Sequence, residues 1–193
     1  MKHVLFLISH IGSGSDFLFD ILNNNPRIQG YRVPVIYDNY PIVEQLTTLP
    51  HKTNNTASIW MDELLFNYSL GDPRMYDLFS FIFLVREAKP SLNAIVSAGY
   101  SQRGAMYYYK YRLRRMCEIA KRTANAVALT WEDMTSGKGL PLIENYLKLK
   151  VPLKLKERDW DYKNIVETQY VDEAQQSYER HLWFLKQFNL VRV

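Results

Sequence analysis

Three consecutive stretches near the start decide the fold: Val4-Leu5-Phe6-Leu7-Ile8, then Ser9-His10-Ile11-Gly12-Ser13-Gly14-Ser15, then Asp16-Phe17-Leu18-Phe19-Asp20-Ile21-Leu22-Asn23-Asn24. The first is apolar, too short for a helix and β-branched at both ends, which reads as a strand buried on both faces. The last places Phe17, Leu18, Ile21 and Leu22 along one side of a helix, and Asn23-Asn24-Asn25-Pro26 stops it. Between them lies a loop of small residues. A strand, a glycine loop and a helix N-terminus in this order present backbone N–H groups beside the positive end of a helix dipole, which is a cradle for phosphate or sulfate. Ser13 and Ser15 add hydroxyl donors. Two nucleotide-binding patterns fail here. Walker A requires Lys-Ser/Thr after the last glycine, and Ser15-Asp16 stands there. The dinucleotide fingerprint requires a third glycine where Phe17 stands and an acidic residue where Arg32 ends the next strand.

Working outward, buried strands and helices alternate. Ile28–Arg32 reads as a short second strand, and residues 34–56 read mostly as loop with one helical turn around Val43–Leu46. Ile59–Tyr68 is ambiguous between elements, with a helix the favoured reading. Phe81-Ile82-Phe83-Leu84-Val85 is a second fully buried strand, followed by a helix over Pro90–Ala98. Arg103–Thr123 is a long helix with Met106, Tyr109, Leu113, Met116, Ile119 and Ala120 on its inner face. Ala126–Thr130 is a third buried strand. Leu142–Leu149 and Asp172–Phe188 read as helices. This order predicts a three-layer α/β/α protein with a central parallel sheet, in a single domain over residues 1–193.

Composition bounds the function. The 193 residues are 47% apolar and 23% charged, which excludes a disordered chain, a collagen-like chain and a coiled coil. The single cysteine, Cys117, excludes an intramolecular disulfide framework and a cysteine-based zinc site. A net charge of +4 is a mild bias towards anionic partners. The apolar run at Val4–Ile8 is too short for a signal peptide or a membrane span, so a cytoplasmic protein with no membrane span is expected. No His/Asp/Glu cluster has metal-ligand spacing, so no metal is expected. The basic stretch Arg103–Arg122, interleaved with four of the fourteen tyrosines, reads as a helix with a solvated basic face, with no nucleic-acid partner expected.

Arg86 stands at the carboxyl end of the second buried strand. On a parallel sheet that is the same edge as the glycine loop, where a guanidinium can grip an anion in bidentate fashion. Together these stretches resemble the PAPS-dependent sulfotransferases. In that family a Ser-Gly-Ser/Thr-Thr/Ser-Phe/Trp-Leu loop binds the 5′-phosphosulfate end of the donor, and Ser13-Gly14-Ser15-Asp16-Phe17-Leu18 is similar to it, followed by Asn25-Pro26. Leu84-Val85-Arg86-Glu87-Ala88 resembles the family's strand-end Val-Arg-Asp-Pro, which binds the 3′-phosphate. Trp131-Glu132-Asp133-Met134 resembles a third landmark, a strand running into Tyr-Glu-Asp-Leu/Met.

The resemblance implies a P-loop-like sulfotransferase topology and an enzyme that moves a sulfuryl group from PAPS to a hydroxyl or amine of a small-molecule or glycan acceptor. It implies donor binding by Gly12, Ser13, Gly14, Ser15, Asp16, Phe17, Arg86, Ser91, Asn93 and Trp131, with Trp131 packed on the adenine. His10, Asp16 and Glu63 are the candidate catalytic groups, and residues 34–70 the acceptor region. Three departures stand out: Gly12 replaces the loop Lys or Arg, Asp16 replaces a hydroxyl residue, and Ala94 falls where the family carries a serine. Lys89, Arg103, Lys138 and Lys154 are candidates for the missing cation. The alternatives are a catalytically degenerate nucleotide-binding member and a P-loop kinase-like phosphotransferase.

Overall fold

A computed structural model describes residues 3–31, 59–64, 74–155 and 165–190 of the chain. Five parallel strands form one sheet in the order β2-β3-β1-β4-β5. They are β1 (His3–Ile8), β2 (Ile28–Tyr31), β3 (Ile59–Leu64), β4 (Ser80–Val85) and β5 (Ala126–Thr130). The helices are α1 (Ser15–Asn23), α2 (Met75–Leu78), α3 (Ala88–Ser97), α4 (Gln102–Ala120), α5 (Trp131–Thr135), α6 (Gly139–Leu147) and α7 (Thr168–Leu190).

β1 is the middle strand. It pairs with β3 from His3↔Ile59 to Ile8↔Leu64 and with β4 from Leu5↔Ser80 to Ile8↔Phe83. Enclosed by strands on both sides and helices on both faces, it has to be apolar throughout, and Val4–Ile8 is at most 1% exposed. Successive side chains alternate between two cores. Phe6 and Ile8 join Phe81, Phe83 and Val85 against α3, α4 and α7, with Phe6, Phe81 and Phe83 stacked at centroid spacings of 5.7 and 6.4 Å. Leu5 and Leu7 join Ile82, Leu84, Val127 and Leu129 against α1, α5 and α6. The expected three-layer α/β/α arrangement is therefore present. Truncating a ring such as Phe81 to alanine should cost about 3–5 kcal/mol.

One element differs from its sequence reading. Ile59–Leu64, expected to be helical, is strand β3, inserted between β2 and β1 and paired with both. The ladder on each side supplies hydrogen bonds that a local helix preference cannot match. The expected helical turn at Val43–Leu46, Arg32 and most of the expected acceptor region 34–70 lie outside the described residues.

The sheet order positions the site. From β1 the chain travels towards β2 on one side, whereas β4 leads to β5 on the other. The connections thus diverge between β1 and β4, and open α/β sheets bind ligands at the carboxyl ends of strands at such a point. The glycine loop follows β1 there, and Arg86 follows β4.

Candidate functional site: the β1–β4 edge

The loop after β1 is shaped by two left-handed glycines, Gly12 at φ 80° and Gly14 at φ 88°. Gly14 caps α1 through its backbone alone: its carbonyl accepts the N–H groups of Phe17 at 3.0 Å and Leu18 at 3.2 Å, and no side chain caps the helix. Both glycines are required by contact as well as by φ. A Cβ on Gly14 would lie 2.2 Å from the Trp131 ring, and one on Gly12 would lie 2.6 Å from the Ala94 Cβ. Ser13 sits between them, fully buried, and its hydroxyl has no hydrogen-bond partner among the described residues. Ser15 is buried in the first turn of α1, Asp16 is exposed beside it, and Phe17 packs edge-on against Trp131 at 5.5 Å.

Arg86 extends from the end of β4 towards this loop. Its Nη1 donates to the Gly12 carbonyl at 3.3 Å, and its guanidinium carbon lies 4.8 Å from the centre of the Trp131 ring. The side chain is 7% exposed, so this positive charge is held in a nearly dry site where it acts strongly on an anion. Trp131 reaches this place because Thr130 and Asp133 form a capping box that turns β5 sharply into α5. Thr130 Oγ1 accepts the Asp133 N–H at 3.1 Å, and Asp133 Oδ2 accepts the Thr130 N–H at 3.0 Å.

Helix α4 braces both loops from behind. Arg112, 2% exposed, donates from Nε and Nη2 to the Ser9 carbonyl at 3.2 and 2.6 Å. The Tyr108 hydroxyl accepts the Ile11 N–H at 3.4 Å, and the Tyr109 hydroxyl donates to the Arg86 carbonyl at 2.6 Å. Burial raises the Tyr109 pKa well above the ordinary phenol value, which keeps the hydroxyl a donor. These bracing roles were missed from sequence, where Arg112 was grouped with a solvated basic face. The available signal was its spacing: Arg112 follows Tyr109 by three residues and adjoins Leu113, at the border of the inner stripe.

The structure places the remaining candidates as follows. His10 is fully buried and stands edge-on to Tyr109 at 4.9 Å. Its Nδ1 donates to the Ile11 carbonyl at 2.9 Å, and its Nε2 accepts the Arg86 N–H at 3.3 Å. As placed, it has no lone pair left for an acceptor proton. Burial, with smaller contributions from the charges of Arg112 and Arg86, pushes its pKa down to about 4. Ser91 is buried with its hydroxyl turned onto the carbonyls of Glu87 at 2.7 Å and Arg86 at 3.3 Å. Asn93 is 3% exposed, and its Oδ1 accepts the Ile165 N–H at 3.1 Å. At the start of α3, the Ala88 N–H is taken by Gln175 of α7 at 3.2 Å. Glu63 lies on β3 in register with Leu7, and its side chain falls outside the described part.

Lys89, Arg103, Lys138 and Lys154 are all exposed, whereas among the described residues the Arg86 guanidinium bonds the Gly12 carbonyl of the loop. The Asn25-Pro26 landmark has a local role. Asn25 Nδ2 donates to the Val151 carbonyl at 3.0 Å, and its Oδ1 accepts the Arg27 N–H at 3.0 Å, fixing the turn after α1. A groove of about 510 Å³ between Asn25 and residues 151–155 lies at the far end of α1 from the glycine loop. At nine residues that helix is about 13 Å long, so the groove is separate from the edge site. Among the described residues, no group of three or more His, Cys, Asp or Glu side chains could hold a metal ion, and no helix is long and apolar enough to cross a membrane.

No protein-family model and no curated protein matches the sequence. The fold does match a solved structure, that of mouse sulfotransferase SULT7A1 complexed with PAP, with a TM-score of 0.55 and 14% sequence identity. The match covers 91% of this chain and 63% of that one, so the chain spans less than two thirds of that protein's length. At this identity the likeness concerns the fold: the chain has a sulfotransferase-like α/β architecture with a parallel central sheet.

Proposed function

We propose that the chain is a sulfotransferase that takes PAPS as donor and passes the sulfuryl group to a hydroxyl or amine of a small-molecule or glycan acceptor. It would act as a single cytoplasmic domain over residues 1–193. One observation carries the reading: a buried Ser13 hydroxyl, without a partner among the described residues, lies between two left-handed glycines, in a loop on which the nearly dry Arg86 guanidinium rests. Unsatisfied buried hydroxyls are rare in native proteins, and an anion seated in this loop would satisfy this one. The sulfotransferase-like fold supports the same reading.

The donor, when bound, supplies the sulfuryl group. The chain's part is to hold its anionic end, neutralise charge on the departing phosphate and receive the acceptor's proton. The N–H groups of Gly12, Gly14 and Ser15 and the Ser13 hydroxyl are the donors for the first task, and Arg86 serves the second; the Ser13 N–H is already held by the His10 carbonyl at 3.1 Å. Ser15 and Phe17 shape the loop, and Trp131 closes its side. For the third task, Asp16 is an exposed carboxylate in the first turn of α1, and Glu63 lies near the same sheet edge. His10, with both nitrogens engaged, fixes the β4 turn and is the weakest of the three candidate bases.

A second reading, a nucleotide binder without turnover, is favoured by the contact between Gly12 and Ala94, which leaves no room for a loop lysine or arginine. Two measurements separate these readings. Calorimetric titration with PAP should show binding at sub-millimolar concentration. Release of PAP from PAPS, followed across a panel of hydroxyl and amine acceptors, should show acceptor-dependent turnover. Binding without turnover for any acceptor would select the second reading. ATP binding with PAP silent would select a kinase-like phosphotransferase.

A further inference from the structure

The groove at the far end of α1 is framed by a stretch of sequence that the proposed reaction does not use. Lys148-Leu149-Lys150-Val151-Pro152-Leu153-Lys154-Leu155 interleaves lysine with apolar residues. We infer that this rim and its groove dock the chain onto an anionic lipid surface. The lysines meet the headgroup phosphates, and Val151, Pro152 and Leu155 enter the apolar boundary beneath them.

The fold holds this segment by its backbone and one side chain. Lys148 ends α6 in a left-handed conformation at φ 52°. Asn25 Nδ2 then donates to the Val151 carbonyl at 3.0 Å, and Glu144 Oε1 accepts the Leu153 N–H at 2.6 Å. Leu153 is 7% exposed and joins the core on the α1 side of the sheet. Its neighbours stay outside: Val151 is 42% and Leu155 44% exposed, with Pro152 exposed between them. Together with Ile21 and Asn24 of the α1 end they bound the groove of about 510 Å³. Grouped apolar side chains pinned in water beside an open groove are what an interfacial contact uses.

Charge decides the kind of partner. Lys148, Lys150 and Lys154 are exposed, and none is ion-paired among the described residues. Arg27 reaches the same rim, where its Nη1 donates to the Lys148 carbonyl at 3.3 Å. The longer basic stretch on α4 differs. There Lys110 pairs with Glu173, Arg114 and Arg115 pair with Glu118, and Arg103, Lys121 and Arg122 lie against Tyr107, Phe184 and Tyr76. Unpaired lysines interleaved with exposed aliphatic residues suit an anionic bilayer better than a polyanion in water, which offers the aliphatic side chains nothing. The location fits as well. The glycine loop lies at the other end of α1, so docking here leaves the β1–β4 edge away from the lipid.

Vesicle flotation with the intact chain tests this. Phosphatidylcholine vesicles holding about a third phosphatidylserine should float the chain, and vesicles of phosphatidylcholine alone should not. Raising salt to about 1 M, where the screening length falls to about 3 Å, should release it. Lys148→Gln, Lys150→Gln and Lys154→Gln together should weaken binding about a hundred-fold. Val151→Ser with Leu155→Ser should weaken it about ten-fold. All five side chains are exposed, so both variants should melt with the parent chain. Arg103→Gln with Arg114→Gln on α4 should change binding by less than about three-fold. No binding to the phosphatidylserine vesicles would overturn the inference. So would release by the α4 variant with the rim variants still bound. A loss that follows the lysines but not Val151 and Leu155, with heparin bound as tightly as the vesicles, would also overturn it and mark a site for a soluble polyanion.

Discussion

The loop after β1 and the turn after β4 lie side by side on the same sheet edge and read equally polar in sequence, yet the structure treats them oppositely. Ser13 is buried with its hydroxyl unused among the described residues. Ser91 and Asn93 are buried and bonded to the protein: the Ser91 hydroxyl turns onto its own helix, and the Asn93 Oδ1 accepts from the segment leading into α7. On the proposed reading, the first arrangement holds a hydroxyl ready for an anion, and the second mainly secures the turn after β4. Residue type alone does not separate them, because a hydroxyl is a binding group only where folding has not already spent it. Arg86 belongs to the second segment by sequence and to the first by contact.

Gly14→Ala should break the first segment most severely. Its Cβ would lie 2.2 Å from the Trp131 ring at a φ of 88°. Strain and overpacking together should cost about 3–5 kcal/mol in denaturant melts, with nucleotide binding lost. Adding Trp131→Ala should return part of that cost in a double-mutant cycle. A fully stable Gly14→Ala chain would show that Trp131 does not close the loop.

His10 joins the two segments, and its effect should depend on pH. Its pKa is lowered from 6.5 to about 4, so below pH 6.5 the unfolded chain binds a proton that the folded chain refuses. Stability that is complete above pH 6.5 is then lost as pH falls towards 4, by about 3 kcal/mol over the window. The stability difference between the native chain and His10→Asn should shrink by that amount between pH 7 and 4. A difference that stays constant with pH would mean that the ring is not held neutral between the loops.

Variants in the second segment should have smaller effects, confined to stability. Asn93→Ala deprives the Ile165 N–H of its partner and should cost about 1–2 kcal/mol while PAP affinity stays unchanged. Ser91→Ala removes a bond to its own helix and should cost less than about 1 kcal/mol, again with PAP affinity unchanged. A ten-fold loss of PAP affinity in either variant at unchanged stability would place that residue in the donor site and blur the contrast between the segments.

The same contrast explains what the sequence made legible. The strand, glycine loop and helix at Val4–Asn23 were readable because each signal is local: an apolar run, small residues and a helical stripe. Strand β3 was not, since Ile59–Leu64 becomes a strand through ladders to β1 and β2, which local spacing does not encode. The bonds that Ser91 and Asn93 make were not legible, because they are tertiary or depend on helix geometry. Ile165, the partner of Asn93, lies 72 residues away. Arg86 was legible as an edge cation, but its direction was not. That direction follows from the packing of Gly12 on Ala94 and of Trp131 on Gly14, contacts between residues far apart in the chain.

A crystal structure of the chain grown with PAP tests the central claim most directly. The 5′-phosphate should lie within hydrogen-bonding distance of the loop N–H groups, the Ser13 hydroxyl and the Arg86 guanidinium. PAP ordered elsewhere, for instance in the groove at the far end of α1, with the glycine loop and Arg86 untouched, would contradict it.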